Sequence, residues 1–538
     1  MGTLWYGGTI YTLHKEDEFV EAVYVEDGMI IATGSDAELR AQFQDNISRT
    51  VDLEGNIMYP GFVDSHLHLI GHGQKLLLLD LSAITSSQEI IQLLKDYVGQ
   101  SNPGDWIIGE GWNENLLVDK KIFHRVELDE IAPNNPMMLS RVCRHAILAN
   151  TKALQLAGIL DIKQDPSGGI VVKDDDGMPT GLLLDQAQEL IKAVIPKVSE
   201  QYLEKALTVA IQDCFKVGLV GAHSEDLNYY GGFERTYKTF RKVIDGTTIK
   251  FRTNLLVHHE VVDDMHSLGY TYGKNTSFIE FGAMKIFADG ALGGRTALLS
   301  RPYNDAPETS GVAIHDLADL KKLFKTARHY NMPVAIHVIG DLAFEYAIEA
   351  IEEFPPTDGM RDRLIHAQIL RKELIDRAKN LSIILDIQPR FLASDFPWVI
   401  ERIGEEKMKY CYAWKTLLEN GFHCAGGSDA PIEPIDPLLG IHAAVSRKVP
   451  NDPTKTIYNA NEKLSVFEAV TLFTSGSAYA VSQENTRGKI DKGFTADFTV
   501  LDQDLFAISE DEILVTNVMM TVVDDSIMYK HEKSTVEA

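Results

Sequence analysis

Apolar and polar positions alternate with a period of two from Thr3 to Asp52, in the short stretches TLWYGGTIYTL, EAVYVEDGMIIATG and TVDLEG, which Gly and Asp-Gly turns separate. The pattern predicts a β-rich start. From Gly488 onward, GKIDKGFTADFTVLDQDLFAI and VTNVMMTVVDDSIMYK have the same texture. The two ends, 1–58 and 487–538, are therefore expected to form one small discontinuous β-sandwich domain. Between them, over 59–486, the pattern changes to short continuous apolar runs that end in small or polar residues and lead into helical periodicity, as parallel βα units do. Eight such runs occur: GFVDSHLH, GLVGAHSED, KFRTNLLV, GAMKIFADG, PVAIHVIGD, DRLIHAQ, SIILDIQP and FHCAGGSDAP. Eight is the count of a closed (β/α)8 barrel, so the fold class is α/β with a TIM-like barrel, whose chemistry lies at the C-terminal strand ends.

The first and second runs are about 150 residues apart, where a βα unit needs ~30. Residues 80–189, which carry their own strand and helix patterns, are expected to form a large lid inserted after strand 1. A second long connection, Ala291 to Gly311, follows the fourth run on the same face. After the eighth, SVFEAVTLFTSGSAYAV opens with Ser465 and Glu468 at capping-box spacing and predicts a helix returning toward the terminal domain.

Composition narrows the possible partners. The chain has 538 residues, 45% of them hydrophobic, and a formal net charge of −27. That charge repels phosphate backbones and anionic membrane surfaces, and no basic run offsets it, so neither nucleic acid nor membrane is an expected partner. No window approaches ~18 continuous apolar residues, and the N-terminus lacks a signal pattern. Cys143, Cys214, Cys411 and Cys424 show no CxxC spacing, which points to a reducing, cytoplasmic setting rather than a disulfide framework.

Candidate chemistry concentrates at the ends of the barrel runs. His66 and His68, one residue apart on a strand, share a face and converge on one point. Lys285 stands on run four, His337 on five, His366 on six and Asp429 on eight. Imidazoles and a carboxylate suit a first-row divalent ion, zinc first. A single tetrahedral ion has too few positions for all six groups, which points to two ions sharing a hydroxide, with Lys285 contributing when neutral or carboxylated. Each residue also has a plainer reading: a core histidine in VAIHV or RLIHA, Lys285 paired with Asp289, Asp429 capping a turn. Their joint placement in barrel order favours the metal. His72, His223 and His315 lack such company and read as structural, while His145 in RVCRHAIL is a candidate substrate contact.

These strings resemble the amidohydrolase superfamily, with PGFVDxHxH on strand one, lysine on four, histidines on five and six and aspartate on eight. RVCRHAILANTKALQLAGI, MKIFADGALGGRTALL and GGSDAPIEPIDPLLGIHAAVSR are similar, more narrowly, to the YtcJ-like branch, which includes N-substituted formamide deformylases. The resemblance spans nearly the whole chain and departs at no ligand position. It implies a metal-dependent hydrolase with His66, His68 and Asp429 on the more buried ion, His337 and His366 on the other, and Lys285 bridging as a carbamate. It also makes a homodimer an expectation.

The reaction expected is hydrolysis of a C–N bond in a small-molecule amide, N-substituted, by a metal-activated hydroxide with Asp429 as proton shuttle. A cyclic-amide hydrolase or a deaminase fits the same barrel, and a ligand-binding barrel without catalysis is the non-enzyme alternative. Asp289 and Asp341 are candidates for orienting the ligands, although Asp341 also reads as the N-cap of LAFEYAIEAIEEF. Candidate substrate contacts are Trp112 with Asn113, His145, the Gly293–Arg295 turn and the Arg390–Phe396 stretch.

Overall fold

The computed structural model describes residues 1–142, 145–162, 164–166, 168–196 and 198–532. Cys143 lies outside them. The chain divides into two units, one of residues 1–73 and 203–538 and the other of residues 74–202.

The larger unit is organised by eight parallel strands: β1 (Phe62–Leu67), β2 (Leu219–Ser224), β3 (Arg252–His258), β4 (Ile279–Phe287), β5 (Val334–Val338), β6 (Asp362–His366), β7 (Ile383–Ile387) and β8 (Cys424–Gly426). Each pairs in parallel with the next, in sequence order. All eight apolar runs form strands. Every residue of β2, β3, β6, β7 and β8 is buried, as expected for strands covered on both faces, whose sequences have no need to alternate. The sheet turns back on itself where Ser428 donates its N–H to the Asp64 carboxylate at 3.0 Å and Asp429 donates its own to the His66 carbonyl at 2.7 Å. The chain thus forms a TIM-like α/β barrel with the end of β8 beside β1.

The stretch YPGFVDSHLH serves two sheets. Tyr59 and Pro60 end a strand, Ile57–Pro60, that pairs antiparallel with Phe498–Leu501, and only after Gly61 does β1 begin. That pairing joins the two ends of the chain in one eight-stranded sheet with Gly2–Tyr11, Phe19–Glu26, Met29–Gly34, Ile47–Asp52, Val518–Val523 and Ser526–Lys530. Trp5, Ile10, Val23, Met58, Phe498 and Val500 pack in its core, with the Trp5 and Phe498 rings edge to face at 5.6 Å. Arg252, the first residue of β3, forms a two-pronged buried ion pair with Asp497 at 2.8 and 2.9 Å, linking barrel and sheet.

Two local expectations have definite outcomes. The helix Val466–Leu472 starts with the Ser465/Glu468 capping box. The helix Asp341–Glu353 is instead capped by Gly340, and Asp341 is its first residue. Its carboxylate is occupied by the Ser300 N–H and hydroxyl, at 2.9 and 2.5 Å, and by Arg371.

The unit 74–202 has its own six-stranded sheet, in the order Gly169–Lys173, Pro179–Asp185, Ala146–Ala149, Met137–Arg141, Ile107–Trp112 and Leu79–Asp80, and its own core around Leu94, Ile107, Leu128 and Leu139.

Candidate metal centre

The six candidate ligands occupy the C-terminal ends of the barrel strands. His66 lies on β1 and His68 directly follows it, with their rings 5.7 Å apart. Lys285 is on β4, His337 on β5 and His366 closes β6. Asp429 follows β8. Ligand atoms of His66, His68 and Asp429 all lie within 4.8 Å of one another, the only such histidine, cysteine or carboxylate group of three or more among the described residues. Asp429 Oδ1 is 3.6 Å from His66 Nε2 and 3.5 Å from His68 Nε2. Lys285 Nζ, fully buried, is 3.3 Å from His66 Nε2 and 4.6 Å from the centre of the Phe287 ring. The rings of His337 and His366 are 4.5 Å apart, and that of His366 is 5.8 Å from His66.

Three imidazoles are oriented by an acceptor on one ring nitrogen. His68 Nδ1 is 2.6 Å from the Glu225 carbonyl, His366 Nδ1 is 2.7 Å from Gln388 Oε1, and His337 Nε2 is 3.1 Å from the Gly290 carbonyl. An N–H donated to each acceptor leaves a lone pair on the other nitrogen, the arrangement of a metal-ligating histidine. His66 Nδ1 is buried with no protein partner among the described residues. The backbone at His366 (φ 75°) and Asp429 (φ 59°) is left-handed, a costly conformation for non-glycine residues that the surrounding bonds maintain.

The electrostatics suit a cation. Burial holds His66 and His337 well below the usual histidine range and His366 at about 4, so all three are neutral and free to ligate. For His68, burial is outweighed by Asp429, Glu225 and Asp226, and its pKa rises to about 9. Three carboxylates thus favour positive charge at one point. Burial also works against the Asp429 anion, yet the His68 hydrogen bond and the neighbouring cations keep its carboxyl below the usual range. Burial lowers the Lys285 ammonium to about 8, and no carboxylate among the described residues forms an ion pair with it.

Asp289 is not the partner of Lys285. Its carboxylate accepts the N–H groups of Leu298, Ile339 and Gly340 at 2.8, 3.1 and 2.8 Å and approaches His337 Nε2 to 3.6 Å, so it fixes the backbone around a candidate ligand. Asp64, on β1, has a similar role and accepts from His66 N on its own strand and from Ser428 N after β8. Beneath the ring, buried Arg363 joins Asp386 to the Ser65 carbonyl.

The histidines and Asp429 open into a cavity of about 390 Å³. Of its walls, Gly293, Phe391 and Asp395 fall within stretches singled out from sequence, whereas Phe287, Gln368, Trp398 and Ile432 carry no local signal there. Trp112 is a correction: it is 2% exposed in the core of the smaller unit and donates its indole N–H to the Leu139 carbonyl, leaving no polar atom for a ligand. Arg295 engages Asp305 at 2.7 Å, and Asn113 caps its own turn by accepting from Asn115 N. His145 is exposed, 3.2 Å from Asp185. His72 is paired with Asp213, His223 is buried, and His315 stands edge-on to His259. Cys214, Cys411 and Cys424 are buried free thiols, and no helix of the described residues is long and apolar enough to cross a membrane.

Comparisons with known proteins identify the family. The family model described as "Amidohydrolase family" matches residues 49–529. The chain is 52% identical over 530 residues to YtcJ of Bacillus subtilis (strain 168), a protein named as an amidohydrolase, across 98% of this chain and 100% of that one. It is 25% identical over 545 residues to N-substituted formamide deformylase of Arthrobacter pascens, covering 98% of each. The crystal structure of an uncharacterized metal-dependent hydrolase from Pyrococcus horikoshii OT3 superposes with a TM-score of 0.78 at 30% identity, over 95% of this chain and 99% of the other. The chain belongs to the amidohydrolase family.

Proposed function

We propose that this hydrolase cleaves the C–N bond of an N-substituted amide at a centre holding two divalent ions, zinc foremost. His66, His68 and Asp429 would hold one ion, His337 and His366 the other, and Lys285, carboxylated, would lie between them. The observation that carries this reading is the convergence of His66, His68 and Asp429 within 4.8 Å, with His68 Nδ1 already tied to Glu225. Bound there, a divalent ion supplies Lewis acidity and lowers the pKa of water toward ~7.

The protein's own groups do the rest. Asp429, at the end of β8 and held anionic, accepts the proton of the attacking water and returns it to the departing amine. The left-handed turn at Asp429 and its N–H bond to His66 fix the carboxylate's direction. Phe287, Phe391 and Trp398 line the adjoining cavity and receive the apolar substituent of the amide. The similarity to an N-substituted formamide deformylase supports formamides as the first class to examine.

The test is a screen of N-formyl and N-acetyl amines, with the released amine detected, on protein as purified, after chelation and after zinc return. Amine release that chelation abolishes and zinc restores is the expected result. Release of ammonia from an aminated ring instead would assign deaminase chemistry, and ring opening without amine release a cyclic-amide hydrolase.

A further inference from the structure

The cavity beside the candidate ligands is apolar on most sides, with Phe287, Phe391, Trp398 and Ile432 among its walls, but carries one acidic position away from those ligands. Asp395 Oδ2 accepts from Gln368 Nε2 at 2.8 Å and from the Tyr412 hydroxyl at 2.5 Å. Tyr412 is 1% exposed and itself contacts the Gln368 amide, so two buried donors fix the orientation of the carboxylate. Its other oxygen, Oδ1, has no protein donor among the described residues, and no lysine, arginine or histidine among them pairs with Asp395. Other carboxylates on this face are provided for: Asp289 has three backbone N–H groups, Asp341 has Ser300 and Arg371, and Glu433 has Arg390 at 3.3 Å.

A carboxylate held rigid beside aromatic walls, with no counter-charge from the protein, is costly unless a ligand supplies one. We infer that Asp395 is a specificity-determining residue whose Oδ1 receives a cationic amine carried by the substrate's apolar substituent, while the aromatic walls hold the carbon skeleton. The inference rests on the amide-hydrolase reading and adds the substrate class: N-acyl derivatives of diamines, with one nitrogen in the scissile amide and the other a free ammonium. Tyr412 and Gln368 act as positioning residues that turn Oδ1 toward the cavity. Burial raises the Asp395 carboxyl to about 6, so the group is predominantly ionised at neutral pH and able to bind a cation.

The test is direct binding by calorimetry to the metal-loaded protein, using 4-methylbenzylammonium and its neutral isostere 4-methylbenzyl alcohol. Wild type is expected to bind the ammonium about tenfold or more tightly, as a charge-assisted hydrogen bond provides, and Asp395→Asn to bind the two alike. Equal affinities in wild type overturn the inference without recourse to any variant. A preference for the ammonium that survives Asp395→Asn also overturns it, because another group would then recognise the cation. Hydrolysis of the mono-N-formyl derivative of 1,4-bis(aminomethyl)benzene, which carries both the amide and the ammonium, reports separately on the reaction itself: its absence contradicts the amide reading, whereas the two affinities decide the cation subsite.

Discussion

The main-chain N–H of Asp429 donates to the carbonyl of His66 at 2.7 Å. One bond therefore joins the turn that follows the last barrel strand to a histidine on the first, and the element that closes the barrel is also the element that brings a carboxylate to the imidazoles. Gly427 makes the approach possible, because a Cβ there would lie 2.7 Å from the His66 nitrogen and 2.9 Å from Asp64 Oδ1. Gly427→Ala is expected to cost about 1–3 kcal/mol of stability through overpacking and to lower metal content, measured as an unfolding midpoint and a metal-to-protein ratio.

Gln388 accepts from His366 Nδ1 at 2.7 Å and so fixes that ring's tautomer and direction. Gln388→Ala frees the imidazole to rotate and to change tautomer. Competition with a chelator should show metal affinity falling by about 10–100-fold, the usual cost of losing such a support.

Asp429→Asn retains shape and loses the base. With metal returned to full occupancy, kcat for an N-formyl amine is expected to fall by about 10²–10⁴-fold, because the neutral amide neither takes the water's proton nor passes it to the amine. An unchanged kcat at full occupancy would remove Asp429 from the proton path.

The Arg252–Asp497 pair tests how barrel and terminal sheet are held together. Burial works against the Asp497 anion, but Arg252 outweighs it and holds the carboxyl below its usual range. A depressed folded pKa contributes stability that is present above the unfolded value of ~3.9 and is lost as pH falls through the folded one. Asp497→Ala is expected to cost about 3 kcal/mol at pH 7, since it leaves the buried Arg252 with Asp524, 3.6 Å away and partly exposed, as its remaining ion-pair partner. Denaturant unfolding should show the gap between wild type and variant narrowing below pH ~4.

The parts of the fold legible in the sequence are those with a local signature. Strands such as LVGAHS and VAIHV are covered on both faces and read as unbroken apolar runs, and the spacing of His66 and His68 is a property of extended chain. The supports of the site have no such signature. Glu225, Gln388 and Gln368 follow different strands and meet His68, His366 and Asp395 respectively only once the barrel has formed. Asp64 differs from any strand carboxylate only in what β8 presents to it. Aromatic and acidic residues beside glycine or a helix start mislead for the same reason. Trp112 in GEGWNEN resembles a ligand contact until Leu139 takes its N–H, and Asp341 resembles a cap until Ser300 and Arg371 take its oxygens.

The most direct test of the account is metal content per chain by mass spectrometry, on protein purified without chelator or added metal, for wild type and Lys285→Ala together. The account predicts two equivalents in wild type, predominantly zinc, and fewer in the variant. No metal in either protein, with none taken up from zinc-containing buffer, would contradict it.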